Sequence, residues 1–377
     1  MSLWEVQIGE FGVRKAKPVR QWRLRFSARK GISRFPRFPR ARERLQRDKR
    51  RSLHGICVNT ATLNRLRIRL LTETLKFFLI STISKMKGGG RSYASMSNKK
   101  SASLGVQLTE GEGNLPKLLL TSPAGSEAEI YLFGGCITSW RVLSRKDLLF
   151  LRPDTLFNKN KPISGGVPHC FPQFGPGPIQ QHGFARNMDW TFVGSENTEG
   201  NPVVTLELKD APYSRAMWDF SFHALFKVTL NDKSLSTELT VKNTDNKAFS
   251  FSTALHTYFR ASASNASVKG LKGCKTLNKD PDPKNPVEGK EERDVVTYPG
   301  FVDCIYLDAP SELQLDNGLG DLISIKNTNW SDAVLWNPYL QMEACYKDFV
   351  CVENAKIGSV QLEPEQTWTA VQHLSIA

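Results

Sequence analysis

From Ser103 onward, short apolar or alternating runs are separated by clusters of Gly, Pro, Asn and Asp, the texture of strands joined by turns. The runs predict strands over 118–121, 129–133, 137–142, 148–151, 203–208, 222–230, 235–241, 249–259, 313–315, 323–325, 333–336, 349–352 and 367–374. Leu235, Thr237, Leu239 and Val241 form one face, and Ser236, Glu238, Thr240 and Lys242 the other, as in an antiparallel sheet with one wet side. So many strands exceed one ordinary sheet, and an open twisted sheet of that size splits into two packed layers. The prediction is all-β, a largely antiparallel sandwich filling one domain over residues 101–377. Residues 278–297, opening Asn278-Lys-Asp-Pro-Asp-Pro-Lys-Asn-Pro, read as a long charged Pro-rich loop.

Residues 1–100 have a different character. They lack regular hydrophobic periodicity and hold 26 Lys and Arg against 5 Asp and Glu, so the net charge of +14 belongs to this leader. The body from residue 101 carries 25 basic against 32 acidic side chains, a poor basis for a nucleic-acid groove. The one apolar stretch of the leader, Leu70 to Ile83, contains Glu73 and Lys76 and falls short of the roughly 20 apolar residues of a membrane span. No membrane or nucleic-acid partner is expected. Residues 81–104 are Ser-rich and basic with no acid, the composition of an organellar transit segment, which points to the plastid stroma. The alternative is sequence read through from an upstream start, with Met86 or Met96 as the natural beginning and a cytoplasmic product. In either case the leader is expected to be disordered.

Only Cys57 of the seven cysteines lies in the leader. The other six are scattered, without a CxxC pair, through a body large enough to stabilise itself, which favours free thiols in a reducing compartment and no local zinc site. Gly165-Gly166 lacks the spacing of either common nucleotide-binding glycine motif. Three stretches place reactive residues where a rigid scaffold can present them. Residues 163–189 hold a Pro- and Gly-rich segment leading to Gln181-His182-Gly183-Phe184-Ala185-Arg186. In 249–260, His256 interrupts an apolar strand end, where a lone histidine is ordinarily a satisfied core residue. In 349–355, Glu353 follows an apolar strand. Such a carboxylate either sits in water at the strand mouth or is held for a purpose, because burying it unpaired is costly.

Together these stretches change the picture. Phe133-Gly-Gly-Cys-Ile-Thr-Ser-Trp140, Gly165-Gly-Val-Pro with Phe171-Pro-Gln-Phe-Gly175, and His182-Gly-Phe-Ala-Arg186-Asn occur in order. They are followed by Leu255-His256-Thr-Tyr-Phe259, Val302-Asp303-Cys-Ile-Tyr306, Trp336-Asn-Pro and Cys351-Val-Glu353-Asn. Over residues 105–375 the chain resembles the aldose 1-epimerase superfamily, more closely its glucose-6-phosphate 1-epimerase branch, and with its leader a plant plastid-type form.

The resemblance implies a galactose-mutarotase-like β-supersandwich and interconversion of the α and β anomers of a hexose 6-phosphate. It implies Glu353 as general base and His256 as general acid, which open the ring by taking the O1 proton and protonating O5. No metal or other cofactor is implied, and the expected state is a monomer. His182, Asp303, Arg186, Gln173 and Ser164 are the implied substrate-binding positions. Ser164 departs from the branch, which has Arg directly before the Gly-Gly turn, so one of two expected phosphate-binding guanidiniums is missing. Arg186 remains, with the Ser164 hydroxyl, Lys161 or Arg152 as supplements. Two other functions stay open: a mutarotase for an unphosphorylated or other sugar, and a non-catalytic carbohydrate-binding protein on the same fold.

Overall fold

The computed structural model describes residues 105–143 and 146–377. The expectations for the leader, including its disorder and targeting role, lie outside the described residues, as does Cys57. The first four strands, β1 (Val106–Glu110), β2 (Pro116–Thr121), β3 (Glu127–Tyr131) and β4 (Cys136–Arg141), form an antiparallel meander. β5 (His169–Cys170) follows a long irregular connection and precedes β6 (Thr191–Thr198), β7 (Asn201–Lys209), β8 (Phe222–Leu230) and β9 (Ser234–Asn243). Next come β10 (Phe249–Leu255), β11 (Tyr258–Arg260), β12 (Ser267–Lys269), β13 (Lys275–Asn278), β14 (Val287–Lys290) and β15 (Val295–Thr297). The chain ends with β16 (Val302–Leu307), β17 (Glu312–Asp316), β18 (Leu322–Thr328), β19 (Asp332–Asn337), β20 (Phe349–Leu362) and β21 (Thr367–Ile376).

These strands build two large sheets. One runs β15-β12-β17-β18-β21-β9-β8-β7-β6, and the other β14-β13-β16-β19-β20-β10-β5 with β11 added beside β20. Every named strand pairing is antiparallel, so the predicted sandwich is what the chain forms. Its core shows the two-residue period: Phe222, Ala224, Phe226, Val228 and Leu230 of β8 are buried while the intervening residues are half-buried. They join one cluster with Phe249 and Phe251 of β10, Val350 and Val352 of β20, and Leu374 of β21. The opposite face of β20 carries Phe349, Cys351, Glu353 and Ala355; its neighbours there are Val334 of β19 and Ile305 of β16. That second face builds the site.

Several sequence expectations need correction. The strand expected over 249–259 is two, β10 and β11, broken at His256 and Thr257, where His256 N–H bonds the Pro168 carbonyl and Thr257 N–H bonds the Leu255 carbonyl. Residues 148–151 form no strand; Leu149 makes an isolated bridge to Phe259 and Leu151 one to Gly165. The loop expected over 278–297 contains β14 and β15; β14 pairs with β13 through its backbone while all four of its residues are exposed, so no hydrophobic pattern marks it. Glu353 lies within β20, not after a strand end, because the strand continues to Leu362. The six described cysteines are free thiols, as expected. Among the described residues no helix is long and apolar enough to cross a membrane.

Candidate active site

The break between β10 and β11 positions the histidine. Leu255 pairs with Asn354 and Tyr258 with Cys351, so the two unpaired residues between them, His256 and Thr257, sit beside Glu353 on β20. His256 Nδ1 lies 3.3 Å from Glu353 Oε1, and the carboxylate is 2% exposed. The contact is not aligned as a hydrogen bond: His256 Nδ1 and Glu353 Oε2 are both buried without a partner. The imidazole stacks on Tyr258, ring centroids 4.8 Å apart, with the edges of Trp336 and His182 against it. Burial disfavours charge on both groups. It pushes the Glu353 carboxyl well above the ordinary carboxylate range, opposed by the charges of Lys279 and Arg186, and it pushes His256 well below the ordinary imidazole range. A carboxyl and an imidazole so displaced, touching and unsatisfied, are equipped to exchange a proton.

His182 is fixed by the irregular loop that precedes it. Its backbone sits at φ +65, in the left-handed region that a non-glycine residue occupies only when its surroundings hold it there. His182 N–H bonds the Gly175 carbonyl, and Gly175 N–H donates to His182 Nδ1 at 3.1 Å. Nδ1 is thus an acceptor, which leaves the proton of the neutral ring on Nε2. Burial, ahead of the nearby Arg186 and Lys279 charges, pushes this histidine down to about 3, so it stays neutral.

Asp303 of β16 lies on the face of Glu353. Its carboxylate pairs at 3.0 Å with Lys279, a residue that the sequence alone did not single out. The register that sets Asn278 against Cys304 puts Lys279 opposite Asp303, and Lys279 N–H bonds the Asp303 carbonyl. The Lys279 ammonium also lies over the Phe174 ring, 5.1 Å from its centroid. Burial raises the Asp303 carboxyl and Lys279 lowers it. Arg186 uses one Nη2 hydrogen on the Gln181 carbonyl, while its Nε is buried and unpartnered. The Arg186 charge reaches Glu353, His256 and His182.

The remaining sequence-derived positions fall differently. Gln173 spends its amide on the Gly175, Ile179 and Gln180 carbonyls and the Ile179 N–H, bracing its own loop. Ser164 is half-buried; its carbonyl accepts from Arg152 N–H and the Thr155 hydroxyl. Gly165 serves close packing, since at φ +114 a Cβ there would lie 2.4 Å from the Phe150 carbonyl oxygen. The donor atoms of His256, Cys351 and Glu353 lie within 4.8 Å of one another, the set best placed among the described residues to take a metal ion. Burial holds the Cys351 thiol protonated, and the site's two cations oppose a further positive charge. A separate cavity of about 650 Å³, among Arg260, Tyr298, Tyr339 and Lys347, lacks such a buried acid and imidazole.

Comparisons with known proteins converge on one family. The sequence profile described as aldose 1-epimerase matches residues 116–375. A Cenchrus ciliaris protein provisionally named glucose-6-phosphate 1-epimerase is 33% identical over 282 residues, 70% of this chain and 85% of that protein. An Escherichia coli protein with the same provisional name is 31% identical over 253 residues, 62% of this chain and 81% of its own. Among solved structures, a provisionally named mutarotase from Salmonella typhimurium superposes with a TM-score of 0.66 at 26% identity, covering 74% of this chain and 95% of that one. A galactose mutarotase-like protein from Clostridium acetobutylicum shares the fold, with a TM-score of 0.60 at 16% identity over 72% of this chain and 98% of its own.

Proposed function

The chain belongs to the aldose 1-epimerase family, and from that premise we propose that it is an isomerase interconverting the α and β anomers of glucose 6-phosphate or a close hexose 6-phosphate. The observation that carries this is the buried, mutually unsatisfied pair of Glu353 and His256, 3.3 Å apart. Glu353 takes the proton from the O1 hydroxyl while His256 gives one to O5; the C1–O5 bond breaks as C1–O1 becomes a carbonyl. Rotation about C1–C2 turns the other face of the aldehyde toward O5, and the two transfers reverse. Each transfer moves one proton, so the pair must hold one in total, and burial favours that state near neutral pH by raising the carboxyl and lowering the imidazole. The ring-closed sugar reacts with the carboxylate–imidazolium tautomer of that one-proton pair, reached by proton exchange across the 3.3 Å contact, and opening returns the carboxyl and neutral imidazole that burial favours. Asp303 accepts sugar hydroxyls, His182 donates from Nε2, and the free N–H groups of Arg186 take the phosphate.

The test is an anomerisation assay with a panel of sugars and sugar phosphates. Glucose 6-phosphate is expected to give the highest kcat/KM, and Arg186→Ala to raise KM for the phosphate far more than for glucose. Ser164, standing where the branch has Arg, favours a second reading in which the preferred sugar is unphosphorylated; higher kcat/KM for glucose would establish it. The Ser-rich, acid-free stretch 81–104 supports plastid import as part of the same proposal. A fluorescent fusion of residues 1–104 is expected in plastids, and a cytosolic signal would contradict that part alone.

A further inference from the structure

Ser164 and Arg152 oppose each other across an antiparallel bridge. Leu151 pairs with Gly165, and Arg152 N–H bonds the Ser164 carbonyl at 3.0 Å. Directly opposed residues of such a pair project to the same face, with Cβ atoms about 4.5–5.5 Å apart. A long side chain at 152 therefore reaches the space that an arginine at 164 would use. On this basis we infer that Arg152 supplies the second guanidinium for the substrate's phosphate monoester, Arg186 being the first, so that the loss at 164 is made good from the neighbouring segment. The inference rests on the hexose-phosphate reading above.

The guanidinium of Arg152 is held for such a task. Asp154 binds it in a fork, Oδ1 to Nε at 2.9 Å and Oδ2 to Nη2 at 2.5 Å. That uses two of its five N–H groups and leaves the Nη1 edge free. The side chain is 21% exposed, enough to meet a ligand and little enough to be ordered. The charges of Arg152 and Arg186 both act on the Tyr258 hydroxyl, and the Tyr258 ring stacks on His256. Two cations thus bear on the aromatic wall beside the proton-exchanging pair. Lys161 is exposed and its charge bears on Asp154 instead.

The test compares Arg152→Ala with the exchange Arg152→Ser/Ser164→Arg, using glucose 6-phosphate, glucose, and inorganic phosphate as a competitive inhibitor. Arg152→Ala is expected to raise KM for glucose 6-phosphate, and Ki for inorganic phosphate, by at least about tenfold, the worth of one charge-assisted hydrogen bond. Constants for glucose are expected to stay as in the wild type. The exchange variant, which restores a guanidinium from the other side of the bridge, is expected to recover most of the loss. If Arg152→Ala fails to fold, Arg152→Gln decides: a KM for glucose 6-phosphate raised at least about tenfold, and recovered in the exchange variant, supports the inference, and a wild-type KM overturns it. An equal response for both sugars, or none for the phosphate, also overturns it. A wild type that prefers glucose 6-phosphate but is indifferent to Arg152 removes this inference alone; a wild type without that preference removes the hexose-phosphate reading as well.

Discussion

Replacing Lys279 with methionine removes a charge while keeping most of the side chain's length. Lys279 Nζ lies 3.0 Å from Asp303 Oδ1, and the two side chains are 16% and 19% exposed. At that separation an effective dielectric constant of about 20 gives an attraction of about 5 kcal/mol, much of it offset by desolvation. Hydrogen bonds to charged groups retain about 1.5–3 kcal/mol net. Losing the ammonium removes that stabilisation of the ionised form and so lifts the Asp303 carboxyl. The direction follows from the pairing: burial already raises Asp303 and Lys279 is what lowers it, so its removal can only raise it further. Glu353, also lowered by Lys279, moves the same way. Asp303, which accepts sugar hydroxyls when ionised, then protonates at higher pH and the acid limb of the kcat/KM profile shifts upward, while Glu353 keeps the pair's one proton to higher pH and the alkaline limb moves up with it. Lys279→Arg keeps the charge and should keep both limbs in place. Profiles of Lys279→Met and wild type that superimpose from pH 5 to 9 would refute the electrostatic role given to Lys279.

Three further outcomes are expected. Gly165→Ala puts a methyl 2.4 Å from the Phe150 carbonyl oxygen at a backbone φ of +114, and should lower Tm by about 4–8 °C for a cost near 2 kcal/mol; an unchanged Tm contradicts the packing role. Buried His169 is pushed down to about 4 and His182 to about 3, so below pH 6.5 the unfolded chain takes up protons that the folded one refuses. Stability is present above pH 6.5 and lost as pH falls toward those values, by about 1.4 kcal/mol per pH unit for each histidine. Urea unfolding should show this decline, and His169→Phe, keeping a ring against Trp190 and Phe226, should make it shallower; equal slopes would contradict it. A protein beginning at Ser101 should remain soluble and retain wild-type kcat, measured against the full chain, since the described strands and the site lie beyond that point.

What the sequence made legible depended on whether burial enforced a period. β8 runs over Phe222–Leu230 as expected, because one of its faces packs in the inter-sheet core and the other does not. β14 was not legible, since it is held by backbone pairing and its side chains meet water. The break at His256 was hidden because Leu255, Tyr258 and Phe259, on either side, are all buried and apolar. His256, Glu353, His182 and Asp303 were legible as residues through their order along the chain, but their charge states were not. Those depend on desolvation and on Lys279, whose importance comes from a strand register within what read as a polar loop. Arg152 likewise acquires meaning from the bridge that sets it against Ser164.

The central claim is that Glu353 and His256 exchange protons with a sugar. Exchange NMR on the α and β C1 protons of glucose 6-phosphate tests it without a coupling enzyme. The wild type should show exchange well above buffer, and Glu353→Gln, which keeps shape and hydrogen-bonding capacity, should cut turnover by at least about a hundredfold while sugar binding changes far less. His256→Asn should do the same, and the double variant should be little worse than either, because ring opening needs both transfers. Sugar binding by the wild type with no exchange above buffer, or full turnover in both single variants, would contradict the claim.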